Sequence, residues 1–157
     1  MNNDNLIILA LDASSRNVGW TLAQGDRYIN SDVYRPRGNT KQRIIGIAYW
    51  TAQMLQIHNP DLVVIEEPTG SHRNPKTDRL LARVCGNIEG ICIISGVPVL
   101  WVHAMKVKAT GLHKDATRLT ARFIGKSSIG PDEADSIGTW QAALVLLKEQ
   151  TIININP

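Results

Sequence analysis

Apolar and polar positions along the chain fall into blocks whose periods predict the elements. Residues 6–12, "LIILALD", form a nearly unbroken apolar run, the pattern of a strand buried on both faces. Val18–Gln24 and Tyr28–Tyr34 read as two further strands, with the Gly25–Asp26 pair as the hairpin turn between them. Behind Asn39, a good capping residue, Ile44, Ile47, Ala48, Thr51, Met54 and Leu55 recur at helical spacing and predict a helix to about His58. "PDLVVIEEP" predicts a short buried strand over 62–66, closed by Pro68. A helix follows from about Pro75 to Ser95, with proline in its first turn. Then come a strand over Val97–Val102, helical segments near 103–109 and 115–124, and a last helix from about Pro131 to Glu149. Three strands joined by tight turns, followed by strands alternating with helices, predict an α/β domain. Its mixed five-stranded sheet has antiparallel leading strands, parallel later ones and flanking helices.

Composition adds bounds to this picture. At 157 residues, 43% hydrophobic and 20% charged, residues 1–157 suit one soluble domain. The longest apolar runs fall short of a membrane span, and "MNNDN" lacks the features of a signal peptide, so a cytoplasmic protein is expected. Cys85 and Cys92 are seven residues apart in a predicted helix. That spacing separates their Cα atoms by roughly 10 Å, too far for a disulfide, and predicts reduced core thiols. Charge is unevenly placed. Residues 1–69 carry six Lys/Arg against seven Asp/Glu, residues 70–126 ten against three, and residues 127–157 one against four. A cationic block between acidic ones is either a solvated face or the footprint of a polyanion.

The acidic positions carry the candidate chemistry. Asp12 ends the first strand, Glu66 and Glu67 end "LVVIEE", and "PDEADS" puts Asp132 and Asp135 three apart on one face of the last helix's first turn. Strand ends and helix N-termini are where open α/β sheets build their sites. Each residue also has a plain structural reading: Asp12 as a turn residue, and the helix aspartates as favourable partners of the macrodipole. Together, four carboxylates would repel one another without a cation. Hard oxygen donors, and four histidines without zinc-type spacing, suit Mg²⁺ or Mn²⁺. A pair of such ions can activate water and stabilise the leaving oxygen of a phosphodiester.

These stretches resemble a known family. "LALDASSRNVGW", "VVIEEP" and "DEADSIGTW" are similar, in order and spacing, to the three acidic motifs of RuvC-type Holliday junction resolvases. The resemblance implies a ribonuclease H-like fold, a homodimer, and Mg²⁺-dependent paired nicking of four-way DNA junctions with two ions per site. It implies Asp12, Glu66, Asp132 and Asp135 as metal ligands. It also implies Lys108 and Lys114, in "MKVKATGLHKDATR", as lysines that hold the scissile phosphate. The setting would be a bacterial cell or a phage-infected host. The chain departs from the family at Thr69, where members often carry an aromatic wedge, with His72 and Arg73 following. That departure points to a broader choice of branched DNA.

DNA contacts are expected from Arg73, from a basic stripe at Lys76, Arg79 and Arg83, and from Lys108, Lys114 and Arg118. Arg122 and Lys126 extend the last of these sets. Alternatives of other kinds remain open. One is a module that binds junctions without cutting. Others are a nucleotide-binding fragment of the actin and sugar-kinase type, and a short RuvC-like protein of the YqgF kind.

Overall fold

The computed structural model describes residues 5–68 and 74–155, with side-chain surroundings up to residue 149. The elements follow in the order β1 (Ile7–Ala13), β2 (Val18–Gln24), β3 (Arg27–Tyr34), α1 (Thr40–His58), β4 (Leu62–Glu66), α2 (Pro75–Ile94) and β5 (Val99–Val102). Next come α3 (Ala104–Ala109), a 3-10 turn (Lys114–Ala116), α4 (Thr117–Phe123) and α5 (Pro131–Ile155). The sheet order is β3-β2-β1-β4-β5. β1 pairs antiparallel with β2, and β2 with β3, whereas β1 with β4 and β4 with β5 are parallel. This is the mixed five-stranded architecture expected from the pattern.

Helices cover both faces of the sheet, and strand alternation divides the core between them. On β1, Leu9, Leu11 and Ala13 join Val63 and Ile65 of β4 in a cluster with α1 and α2. Ile8 and Ala10 join Val64 and the buried face of α5, including Ile137 and Trp140. The period of two then assigns the strand ends. Asp12 has the parity of Ile8 and Ala10, and Glu66 has that of Val64, so both belong to the α5 face. The register pairs Leu11 with Ile65, so the two carboxylates end neighbouring parallel strands. A core strand can carry Asp12 one residue from its end because that end of the sheet opens beside the first turn of α5.

Local signals account for most boundaries. Asn39 and Gln42 form a reciprocal capping box at α1, and Asn59 ends that helix in the left-handed conformation. The largest differences from the sequence reading fall at two bounds. β5 begins at Val99, because the Val97 amide bonds back to Cys92 at the end of α2 and Pro98 has no amide to pair. α5 continues past Glu149 to Ile155, since residues 150–155 contain neither glycine nor proline to stop it. Cys85 and Cys92 are buried free thiols; burial pushes Cys85 up to about 12 and Cys92 up to about 11. None of the helices in the described residues is long and apolar enough to cross a membrane.

Candidate active site

Two glycines allow α5 to seat where its aspartates meet the strand ends. Gly19 lies opposite Asp12 in the β1–β2 ladder, and a Cβ there would overlap the Asp132 backbone carbonyl. Gly138, two turns into α5, would likewise meet the Leu112 carbonyl oxygen if it carried a Cβ. The helix therefore packs backbone-close against β2 on one side and the segment after α3 on the other. Thr21 and Ser136 lock the first contact through a buried hydroxyl–hydroxyl bond of 2.8 Å.

A cleft of about 720 Å³ opens at this end of the sheet, walled by Asp12, Glu66, Asp132 and Asp135 together with Lys108 and Lys114. All four carboxylates and both lysines singled out in the sequence thus share one space. Their surroundings are electrostatically tense. Burial raises the Asp12 pKa well above its ordinary value, and the charges of Asp135, Glu66 and Asp132 add to this against a smaller opposing effect of Lys114. Glu66 is raised by burial and then Asp135, with Lys114, Lys108 and His103 opposing. Asp135 is raised by burial, although the Lys114 amide, donating to its Oδ1 at 2.7 Å, and the Lys114 charge pull it back. Among the described residues, no three His, Cys, Asp or Glu side chains are gathered tightly enough to enclose an ion as they stand. The chemistry of the set nonetheless fits a hard divalent cation: only oxygen donors, crowded enough to resist ionisation, beside two ammonium groups.

Sequence reasoning missed several residues here. Asn17 donates from Nδ2 to Asp132 Oδ2 at 3.0 Å, across 115 residues. Arg16 and Arg43 line the wall of the cleft with Thr40 and Thr77. Arg43 is anchored, donating to Ser15 O at 3.0 Å and Gly38 O at 2.9 Å. Only the basic character of Arg16 and Arg43 was visible in the sequence; their placement was not.

The DNA-binding candidates divide. Lys76, Arg79 and Arg83 are exposed on α2, whereas Thr77, Leu80 and Leu81 are the residues of that helix that line the cleft. Arg118 is exposed on α4, also outside the lining. Thr69, His72 and Arg73 lie outside the described residues. Lys126 is a correction. It donates to the buried Glu133 carboxylate at 2.6 Å and to Ser31 O at 2.8 Å, while Ser31 Oγ donates to the same Glu133 oxygen at 2.6 Å. Burial would lower the Lys126 pKa, but the Glu133 hydrogen bond and charge overcome it and raise it. Lys126 is partly exposed, but Glu133 and Ser31 engage its ammonium group, so it is not a free cation of the phosphate-facing set.

No family model and no curated protein matches the sequence. Solved structures do. Thermus thermophilus RuvC in complex with a Holliday junction substrate aligns with a TM-score of 0.77 over 91% of this chain and 96% of that one, at 17% identity. The chain has the RuvC-type fold. The yeast mitochondrial Holliday junction resolvase aligns at a TM-score of 0.61 and 12% identity, over 92% of this chain and 81% of that one. The fowlpox virus resolvase, solved with Holliday junction DNA, aligns at 0.57 and 14% over 89% and 99%. At these identities the likeness lies in the ribonuclease H-like RuvC architecture. The chemistry has to be argued from the cleft.

Proposed function

We propose that the chain is a single-domain, metal-dependent endonuclease that resolves Holliday junctions or related branched DNA by paired nicks, working as a homodimer in the cytoplasm of a bacterial cell or phage-infected host. The observation that carries this reading is the meeting of Asp12, Glu66, Asp132 and Asp135 with Lys108 and Lys114 in one cleft. A site with net negative charge repels DNA unless cations offset it. Crowded carboxylates bounded by lysines are therefore suited to phosphodiester hydrolysis and poorly suited to binding alone.

Asp12, Glu66, Asp132 and Asp135 would hold two Mg²⁺ ions, with Mn²⁺ as a substitute. When bound, such a pair supplies an activated water and charge stabilisation for the leaving oxygen. The chain's own groups do the rest. The Lys114 backbone fixes Asp135, and the Lys114 and Lys108 ammonium groups neutralise the charge that grows on the phosphate oxygens. Arg73, Lys76, Arg79, Arg83 and Arg118 would contact phosphates along the arms, giving an affinity that falls steeply with salt. Two copies related by a two-fold axis match the two equivalent strands of a junction. With Thr69 in place of an aromatic wedge, three-way and flap DNA are expected to be cut as well.

The test is a denaturing gel of labelled four-way, three-way, flap and linear DNA incubated with protein and Mg²⁺. Four-way junctions should be nicked symmetrically, three-way and flap DNA cut as well, linear DNA spared, and Asp12→Asn should bind junctions without cutting. Cutting by a folded Asp12→Asn variant would remove the cleft from the reaction.

A further inference from the structure

The two aspartates of α5 are held in the same manner by unrelated parts of the chain. Asp135 Oδ1 accepts from the Lys114 amide at 2.7 Å. Asp132 Oδ2 accepts from the Asn17 side-chain amide at 3.0 Å. Only the nitrogen of that amide can serve a carboxylate, so the bond fixes the orientation of the Asn17 side chain as well. We propose that Asn17 is a positioning residue for Asp132, claiming one carboxylate oxygen so that the other is presented to a divalent cation in the cleft.

Asn17 is well placed for this because hydrogen bonds close its turn on both sides. Ser14 closes the turn three ways. Its amide and its Oγ both donate to Asn17 O, at 2.9 and 2.8 Å, and its Oγ accepts from Asn17 N at 3.0 Å. Arg43 then pins the turn to α1 through Ser15 O at 3.0 Å. On the other side, Gly19 brings the α5 backbone at Asp132 into direct contact with β2. Backbone contact sets where Asp132 sits, and the Asn17 bond sets how its carboxylate is turned. Donors that orient metal-binding carboxylates commonly change metal affinity by about 10–100-fold when removed. A hydrogen bond of this kind needs no charge, so it does not add to the repulsion that Asp12 already feels.

This inference rests on the metal-nuclease reading, and calorimetry separates the two. Mn²⁺ binding is measured on wild type, Asn17→Leu (similar size, no donor) and Asn17→Gln (amide retained on a longer arm). Asn17→Leu should weaken Mn²⁺ about tenfold and Asn17→Gln less. The Mg²⁺ concentration giving half-maximal single-turnover cleavage should rise by the same factor. Junction affinity in Ca²⁺ and the metal-free melting temperature should stay near wild type. Mn²⁺ affinities within about twofold of wild type in both variants would overturn the proposal, as would a parallel loss of metal affinity, junction affinity and melting temperature. If wild type binds Mn²⁺ but cuts no DNA, the nuclease reading fails and the calorimetric comparison still decides the role of Asn17.

Discussion

Asp12→Asn should make the metal-free protein more stable while ending catalysis. In the folded chain the Asp12 pKa stands well above its unfolded value, first through burial and then through Asp135, Glu66 and Asp132. For a carboxylate raised in this way, the folded state binds more protons than the unfolded one between the two pKa values. Stability therefore falls as pH rises through that window, by up to about 1.4 kcal/mol per pH unit for one group, and the loss persists above it. Glu66 and Asp135 are raised as well and act in the same direction. Asparagine keeps the shape and removes one charge from the cluster. Because Asp12 opens on the cleft, solvent screens part of the effect, and a gain of about 1–2 kcal/mol at pH 7 is expected. That corresponds to a rise of about 2–8 °C in Tm for a chain of this length. The assay is a set of thermal melts from pH 5 to 8 in EDTA and in Mg²⁺. In EDTA, wild type should lose stability with rising pH more steeply than the variant. In Mg²⁺ the order should reverse, since a ligand at 100 times its Kd stabilises by about 2.7 kcal/mol and the variant lacks a ligand. Equal melting points in EDTA at pH 7, together with equal responses to Mg²⁺, would refute the reasoning.

Other expectations follow from the same geometry. Gly19→Ala pushes a methyl into the Asp132 carbonyl, so it should cost about 1–3 kcal/mol and, by moving α5, about a hundredfold in single-turnover rate; wild-type Tm and rate would disprove the close contact. Lys126→Met leaves the Glu133 carboxylate, which is 7% exposed, with the Ser31 hydroxyl but without a counter-charge. With Lys126 itself partly solvated, a loss of about 2–3 kcal/mol in denaturant melts is expected. The raised Lys126 pKa places this stabilisation below its ordinary value of 10.5, to be lost as pH climbs past it. A variant as stable as wild type at pH 7 would return Lys126 to the surface cations. Lys114→Ala should slow single-turnover cleavage about a hundredfold with a smaller change in junction affinity; loss of affinity with an unchanged rate would make Lys114 a simple phosphate contact.

The sheet and the gathering of carboxylates were legible because period and position are local properties. Asp12 closes an apolar run, Glu66 closes another, and three-residue spacing puts Asp132 and Asp135 on one helical face. Strand parity then directs the first two to the face that α5 covers. What escaped depends on contacts between distant segments. Asn17 looks like an ordinary turn residue until α5 arrives 115 residues later. Lys126 continues a stepped cationic pattern, yet Glu133 and Ser31 take its ammonium group. The bounds of β5 hinge on where the Val97 amide finds an acceptor, a choice the apolar run around it does not encode. Arg16 reaches the cleft from the turn that Ser14 closes, and Arg43 reaches it from α1 while bonding back to that turn.

The most direct measurement is anomalous scattering from crystals grown with Mn²⁺ and an uncleaved junction. Manganese peaks within about 2.5 Å of Asp12, Glu66, Asp132 and Asp135 oxygens, beside the scissile phosphate, are the predicted result. Manganese bound elsewhere, or an empty cleft in crystals whose protein still cuts junctions in Mn²⁺, would contradict it.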